Sequence, residues 1–209
     1  MTCPVKRVDF GHYSFNVLDE VYEPAEDSFL LADNLEIEKG SLVLDVGAGC
    51  GILGVLAAKK AENVVAVDLN PFAVRCAREN SLLNNVNDKM AFVQSDLLTA
   101  FDSEALFDLI LFNAPYLPSA EHDLKTWIGK SWAGGTDGRQ VIDRFIYQAP
   151  SHLKPNGRIL LMQSTLAVPD ETIRRFVAQG LKARVVAEQK LPFFETLTLI
   201  EAMRKLKSK

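Results

Sequence analysis

Residues 41–56, SLVLDVGAGCGILGVL, constrain this chain more tightly than any other stretch. Leu42, Val43 and Leu44 form a short apolar run with the branching of a buried strand. Asp45 ends it, Gly47, Gly49 and Gly51 follow within five residues, and Ile52 to Lys60 has helical composition. Strand, glycine turn and helix in that order make the nucleotide-binding opening of a doubly wound α/β domain. Glycine is needed because the backbone must turn sharply and lie against a ligand with no side chain between.

Two ligands compete for such a loop. Gly49-Cys50-Gly51-Ile52-Leu53-Gly54 matches the dinucleotide pattern, a weak signal alone. Asp45 argues against it, because a carboxylate there would face a pyrophosphate in a partly desolvated site. The same carboxylate suits a ligand with an ammonium group. Asp45-x-Gly47-x-Gly49-x-Gly51 resembles the first motif of the class I S-adenosylmethionine-dependent methyltransferases. That resemblance implies a place for Asp45 near the methionine end of the cofactor.

A length of 209 residues fits one domain, 1–209, with a full core. The chain is 48% hydrophobic and 24% charged, as soluble globular proteins are. No apolar run approaches the roughly 20 residues that span a bilayer, and the N-terminus carries no secretory pattern. Cys3, Cys50 and Cys76 have neither paired nor metal-ligand spacing, so no metal site is read and a reduced, cytoplasmic setting is the default. Cys76 shares a helical face with Ala73 and Ala77 and reads as core. A net charge of −4 argues against a stand-alone nucleic-acid binder.

Along the chain, residues 1–20 lack a strong period and read as an arm lying across the domain. Val21 to Ser28, VYEPAEDS, is an extended segment running into a helix that Pro24 opens and Asp27 or Ser28 caps, with Phe29, Leu30 and Leu35 as its apolar face. Val64 to Val67 is a second strand. It ends at Asp68, 17 residues beyond Gly51, near the spacing at which an acid grips ribose hydroxyls. Asn70 is placed to cap the next helix and Pro71 to start it. Met90 to Gln94 is a third strand, followed by Ser95, Asp96 and Leu97. Asp108 to Phe112 is a fourth, with Asn113-Ala114-Pro115-Tyr116 at its carboxyl end, where ligands gather in such sheets.

The long connection from Tyr116 to Arg139 holds Trp127 and Trp132 and reads as part of a substrate mouth. Thr136 or Asp137 could cap the helix that follows, whose stripe is Val141, Ile142, Phe145, Ile146 and Ala149. Gly157 to Met162 is a fifth strand, and Ile173, Phe176 and Val177 mark a short helix. Ala183 to Glu188 and Thr196 to Ala202 make a hairpin at the sheet edge, before a basic tail over 203–209.

The segment Tyr22 to Ser28, the glycine motif, Asp68-Leu69-Asn70-Pro71, Asn113 to Tyr116 and Trp132 to Arg139 together resemble the HemK-type protein glutamine N5-methyltransferases, in their eukaryotic and archaeal branch. The resemblance implies a Rossmann-like class I fold, a seven-stranded mostly parallel sheet with a final antiparallel strand and helices on both faces. It implies S-adenosyl-L-methionine as cofactor. Tyr22, Asp27 and Ser28 would close over it, Asp45, Gly47, Gly49 and Gly51 would hold it, Asp68 and Leu69 would meet the ribose, and Asp96 and Leu97 the adenine. Asn113 would touch both cofactor and substrate. An amide nitrogen is a weak nucleophile because its lone pair is delocalised, and a site helps by accepting hydrogen bonds from both N–H groups. Asn113 would supply a side-chain oxygen and Ala114 a backbone oxygen, with Pro115 shaping the loop and Tyr116 packing on the flat group.

The acceptor implied is the glutamine of the Gly-Gly-Gln motif in a peptide chain release factor, with a small zinc-binding activator protein as partner. The apolar strand 90–94, unblunted if it lies at an edge, is a candidate surface for that partner, unless the arm of residues 1–20 covers it. Ala114 departs from the usual proline, which keeps the carbonyl but loosens the loop. Three rivals stand beside this reading. They are a protein lysine methyltransferase, a nucleic-acid amino (adenine N6) methyltransferase, and a cofactor-binding scaffold without catalysis; Asn113 and Tyr116 count against the last.

Overall fold

The structure is a computed structural model that describes residues 6–102 and 104–204, so Cys3 and the tail beyond Arg204 lie outside it. In chain order the strands are β1 (Lys6–Phe10), β2 (Tyr13–Val17), β3 (Leu42–Val46), β4 (Asn63–Asp68), β5 (Met90–Gln94), β6 (Phe107–Asn113), β7 (Leu153–Ser164), β8 (Leu181–Lys190) and β9 (Thr196–Arg204). The helices are α1 (Glu26–Asp33), α2 (Ile52–Ala58), α3 (Pro71–Leu83), α4 (Trp127–Trp132), α5 (Gln140–Gln148) and α6 (Pro169–Ala178).

Seven strands form one sheet in the order β5-β4-β3-β6-β7-β9-β8. β9 runs antiparallel to both its neighbours and the other pairs are parallel. Because β-α-β crossovers are right-handed, α2 and α3 cover one face and α5 and α6 the other. β3 and β6 lie in the middle, and Val43, Leu44, Ile110 and Leu111 are wholly buried there, as apolar runs covered on both faces must be. Phe112 meets Phe145 of α5 with ring centroids 4.5 Å apart. Among the described residues no helix is long and apolar enough to cross a membrane.

The start of the chain corrects the expectation of an arm. β1 and β2 form their own antiparallel hairpin, in which Phe15 and Val17 are buried while Val8, Phe10 and Tyr13 pack at the margin of the core, so that no clear alternation is legible. Two asparagines, Asn80 in α3 and Asn84 at its C-terminal cap, hold it. Asn80 accepts from the Asn16 N–H at 2.8 Å and donates to its carbonyl at 2.8 Å, while Asn84 does the same for Ser14 at 3.3 and 2.9 Å. Residues 6–20 therefore do not add to the β5 edge, which among the described residues pairs only with β4; residues 1–5 of the expected arm lie outside them.

Smaller corrections concern helix ends. Neither Asp27 nor Ser28 caps α1: Ala25 stands at the cap without a side-chain bond, and both residues lie buried in the first turn. There Asp27 Oδ1 accepts from the Ser28 N–H at 2.6 Å, so an acceptor inside the helix does the capping work. Leu31 is the fully buried anchor of α1, with Phe29, Leu30 and Leu35 at its margin. Asn70 and Pro71 cap and open α3 as expected. Arg139 precedes α5, and Asp137 accepts from the Arg139 N–H at 3.0 Å instead of capping the helix itself. On α6 Phe176 is core, whereas Val177 is exposed.

Candidate active site

A cavity of about 620 Å³ opens at the carboxyl ends of β3, β4 and β6, lined from Tyr22, Asp27 and Ser28, Gly47 and Gly49, Asp68 and Leu69, Asp96 and Leu97, and Asn113 to Tyr116. Thus five separate stretches singled out in the sequence converge on one space. Two residues assigned to the cofactor do not reach it. Gly51 sits at the cap of α2 with φ of +85°, and a Cβ there would lie 2.9 Å from Ala77 Cα. It is glycine so that the loop can press against α3.

Asp45 is the second. It is wholly buried, and its Oδ2 accepts from the Gly54 N–H at 2.8 Å. The side chain therefore braces the first turn of α2 and takes no part in the cavity lining. Its Oδ1 has no partner. Burial pushes the carboxyl up to about 7, with the Gly54 N–H opposing and Asp68 adding repulsion. A folded-state pKa above the unfolded value means the folded chain holds the proton more tightly. Stability is then greatest below the unfolded carboxylate pKa and declines as pH rises through the folded one, by a few kcal/mol at most (~3 units at 1.36 kcal/mol each). Asp45→Asn removes this contribution, so its Tm should change less than that of the parent between about pH 5 and 8. Parallel Tm curves for the two proteins would contradict it.

Asp68 ends β4 at the cavity wall. Its Oδ2 accepts from the Gly49 N–H at 2.9 Å and its Oδ1 from the Asn70 N–H at 2.8 Å. Burial raises its pKa, and the Gly49, Asn70 and Leu69 N–H groups oppose that rise. Each carboxylate oxygen has a second lone pair, so both remain able to accept from a ligand. Asp96 accepts from Arg144 Nη2 of α5 at 2.6 Å. Arg144 also lines the cavity and was not foreseen, because a lone arginine on the polar side of an amphipathic helix reads as a solvated residue.

Asn113, at the carboxyl end of β6, is oriented by a chain of hydrogen bonds. Tyr22 donates to both Asp27 oxygens at 3.3 Å, Ser28 Oγ donates to Asp27 Oδ1 at 3.2 Å, and Asn113 Nδ2 donates to Ser28 Oγ at 3.2 Å. The amide nitrogen is thereby engaged, and Asn113 Oδ1 is left buried without a donor among the described residues. Burial first, then the Asp27 carboxylate, raises the Tyr22 phenol well above its ordinary range, and Tyr116 shifts the same way for the same reasons. Ala114 donates its N–H to the Met162 carbonyl at 3.2 Å. Proline has no N–H to give, so the departure at this position replaces a stiff ring with a tether to β7.

The long connection folds back over this loop. Leu117 pairs with Ala133, donating to Trp132 O at 3.0 Å and accepting from the Gly134 N–H at 2.8 Å. Gly138 packs on the Tyr116 carbonyl, which a Cβ would meet at 2.3 Å, and takes φ of +72°. Arg139, buried, donates to Ala167 O and to Asp143 Oδ1, tying the end of the connection to the start of α6. Within it α4 is capped by Thr126, which accepts from the Gly129 N–H at 3.0 Å.

The lining is mainly apolar, and among its charged residues Asp27, Asp68 and Asp96 outnumber Lys130 and Arg144, the latter paired with Asp96. Such a wall suits a cationic ligand and repels a pyrophosphate. The methyltransferase small domain model matches residues 12–129. A Methanocaldococcus jannaschii protein named protein N5-glutamine methyltransferase is 45% identical over 88% of this chain and 92% of its own length. Human methyltransferase HEMK2 is 32% identical over 82% of this chain and 85% of its own. The structure of the E. cuniculi Mtq2–Trm112 complex, described as methylating the translation termination factor eRF1, superposes with a TM-score of 0.69 at 28% identity, covering 89% of this chain and 99% of that one. The strand order, the family match over residues 12–129 and these relatives together make the chain a member of the HemK-type protein glutamine N5-methyltransferases, within the small-domain methyltransferase family.

Proposed function

We propose that the protein transfers a methyl group to the side-chain amide nitrogen of the glutamine in the Gly-Gly-Gln motif of a peptide chain release factor. The observation that carries this is Asn113 Oδ1, buried, unpartnered and aimed by Ser28. A buried acceptor left open is costly unless a ligand supplies its donor, and a primary amide brings two N–H groups. The relative Mtq2, whose complex is described as acting on eRF1, supports the acceptor class.

S-adenosyl-L-methionine, as the methyl donor, would supply an electrophilic methyl on a sulfonium. The residues present fit it. Gly47 and Gly49 leave the loop open at the cavity floor, and Asp68 offers lone pairs to ribose hydroxyls. Asp96 stands where an adenine amino group would donate, beside Leu97, and Asp27 gives the cavity a negative wall. Asn113 Oδ1 and the Ala114 carbonyl accept the two amide N–H groups, orienting the nitrogen lone pair and supporting the positive charge that develops on it. Tyr116 covers the flat amide. Asp68→Ala is expected to weaken S-adenosylmethionine binding by about 1.5–3 kcal/mol, the range for hydrogen bonds to a charged group. Calorimetry returning the parent affinity in a folded variant would remove Asp68 from the site.

The same reading places the protein in the cytoplasm, where termination factors work, and gives it a small zinc-binding activator of the Trm112 kind. β5 is the surface we assign to it: an edge strand of sequence MAFVQ with no proline, lysine or inward charge. Strand addition would satisfy its open N–H and C=O groups. Phe92→Lys should impair the complex without unfolding the chain. Hydrogen exchange at amides 90–94 that is equally slow with and without the partner would refute this surface. The reaction itself is tested by mass spectrometry of a release factor incubated with the protein, its partner and labelled cofactor. A methyl group on glutamine is the expected product. One on lysine, or on nucleic acid alone, would replace this reading with another.

A further inference from the structure

The turn between β8 and β9 carries Pro192, Phe193 and Phe194, and both phenylalanines are fully exposed, at 96% and 103% of their free surface. They are the most exposed apolar side chains among the described residues. Their backbones sit at φ of +61° and +65°, a region that non-glycine residues seldom occupy. The turn is nevertheless well held. Leu191 donates to Glu195 O at 2.8 Å to close it, and Thr196 donates to Thr165 Oγ1 at 3.1 Å to fasten it to the end of β7. Two aromatic rings are thus kept in water on a braced turn whose conformation glycine would take more readily.

The strand directions say where they stand. β8 is antiparallel to β9 and β9 to β7, so β8 runs with the parallel strands and its carboxyl end lies on the rim that holds the cavity. Asn113 pairs with Met162 and Met162 with Leu199, so Thr196 lies three residues further out than the catalytic loop. Glu195 is near enough to Tyr116 to raise the pKa of its phenol.

We infer that Phe193 and Phe194 form a docking wedge that inserts into an apolar pocket on the protein bearing the target glutamine. This rests on the function proposed above and adds the means by which the intact substrate is recognised. Other occupants fit less well. Two phenyl rings offer about 400 Å², half of the ~800 Å² per partner that a stable dimer needs, so a second copy is poorly served. A chain of net charge −4, with Glu188 and Glu195 outweighing Lys190 beside the turn, has no basic cluster there to draw it to an anionic membrane surface. A protein substrate already brought to the rim by its glutamine loop needs only this much extra contact, since a few central aromatics carry most interface energy.

The test uses the double variant Phe193→Gly, Phe194→Gly, which suits the positive φ and keeps the turn. Affinity for an intact release factor, measured by calorimetry, should fall at least about tenfold, with KM rising in step. Methylation of a short Gly-Gly-Gln peptide, too small to span to the turn, should proceed at the parent kcat/KM. Unchanged affinity for the intact factor overturns the wedge and leaves the proposed function standing. So does an equal loss on factor and peptide, or a defect confined to vesicle binding or self-association. If the parent protein, assayed with its activator partner and cofactor, neither binds nor methylates the factor, the proposed function falls and the wedge falls with it.

Discussion

Asn113→Ala is expected to lower turnover by roughly a hundredfold to a thousandfold while leaving S-adenosylmethionine affinity close to that of the parent. The scale is that of removing one preorganised polar group facing the charge that develops in a transition state. Here the polarity is reversed, because Asn113 Oδ1 accepts and the developing charge is positive. The physical case is that the oxygen is held ready before substrate arrives: Ser28 occupies the amide nitrogen, and nothing else bonds the oxygen. Alanine removes the acceptor but leaves Tyr22, Asp27 and Ser28 bonded to one another, so the cofactor side of the cavity keeps its shape. Single-turnover kinetics at saturating cofactor, with affinity from calorimetry, read the two effects separately. A variant that bound cofactor poorly but turned over at the parent rate would show that Asn113 serves only as a ligand contact.

Gly138→Ala should be nearly as damaging without touching any reacting atom. The new Cβ would lie 2.3 Å from the Tyr116 carbonyl, at a φ of +72°. The left-handed backbone and the overlap together cost about 2–4 kcal/mol of stability. That overlap can be relieved only by moving Tyr116 or lifting residues 133–139 off the loop. A displacement of about 1 Å at a group that positions substrate can cost a hundredfold in rate. The expected result is a folded protein with a lower Tm, a turnover down by about two orders of magnitude and near-normal cofactor binding. Parent turnover in a folded Gly138→Ala protein would mean that the loop yields without carrying Tyr116 along.

Glycines and strand ends were the most legible part of this site. A glycine turn after a buried strand has few uses, and polar residues at or just past the ends of parallel strands fall on the ligand side of the sheet; Asp68, Asp96 and Asn113 all do so. Asp45 was legible as part of the motif but not as to which way it points. It follows two buried apolar residues on a strand covered on both faces, and such a strand has no alternation to reveal direction. Its actual partner, the Gly54 N–H, lies nine residues on, in a helix whose approach depends on tertiary packing. The β1–β2 hairpin escaped notice for a related reason. It is held in part by Asn80 of α3 and Asn84 at that helix's cap, more than 60 residues away, and local sequence holds no trace of them. The orientation of Asn113 by Ser28 joins positions 85 residues apart, and neither motif alone foretells the other.

The order of strands bears on how two macromolecules could share this enzyme. β5 closes one margin of the sheet and β8 the other, with six interstrand gaps, about 29 Å, between them. A chain added along β5 and a substrate gripped by the turn beyond β8 would not collide. Neither would screen the other at that range in physiological salt, where charges fade within about 8 Å. Their affinities should then be close to additive, each nearly indifferent to whether the other is bound. An activator seated on β5 would raise output by keeping more of the enzyme folded, and the grip on substrate would be the same in every molecule that stays so.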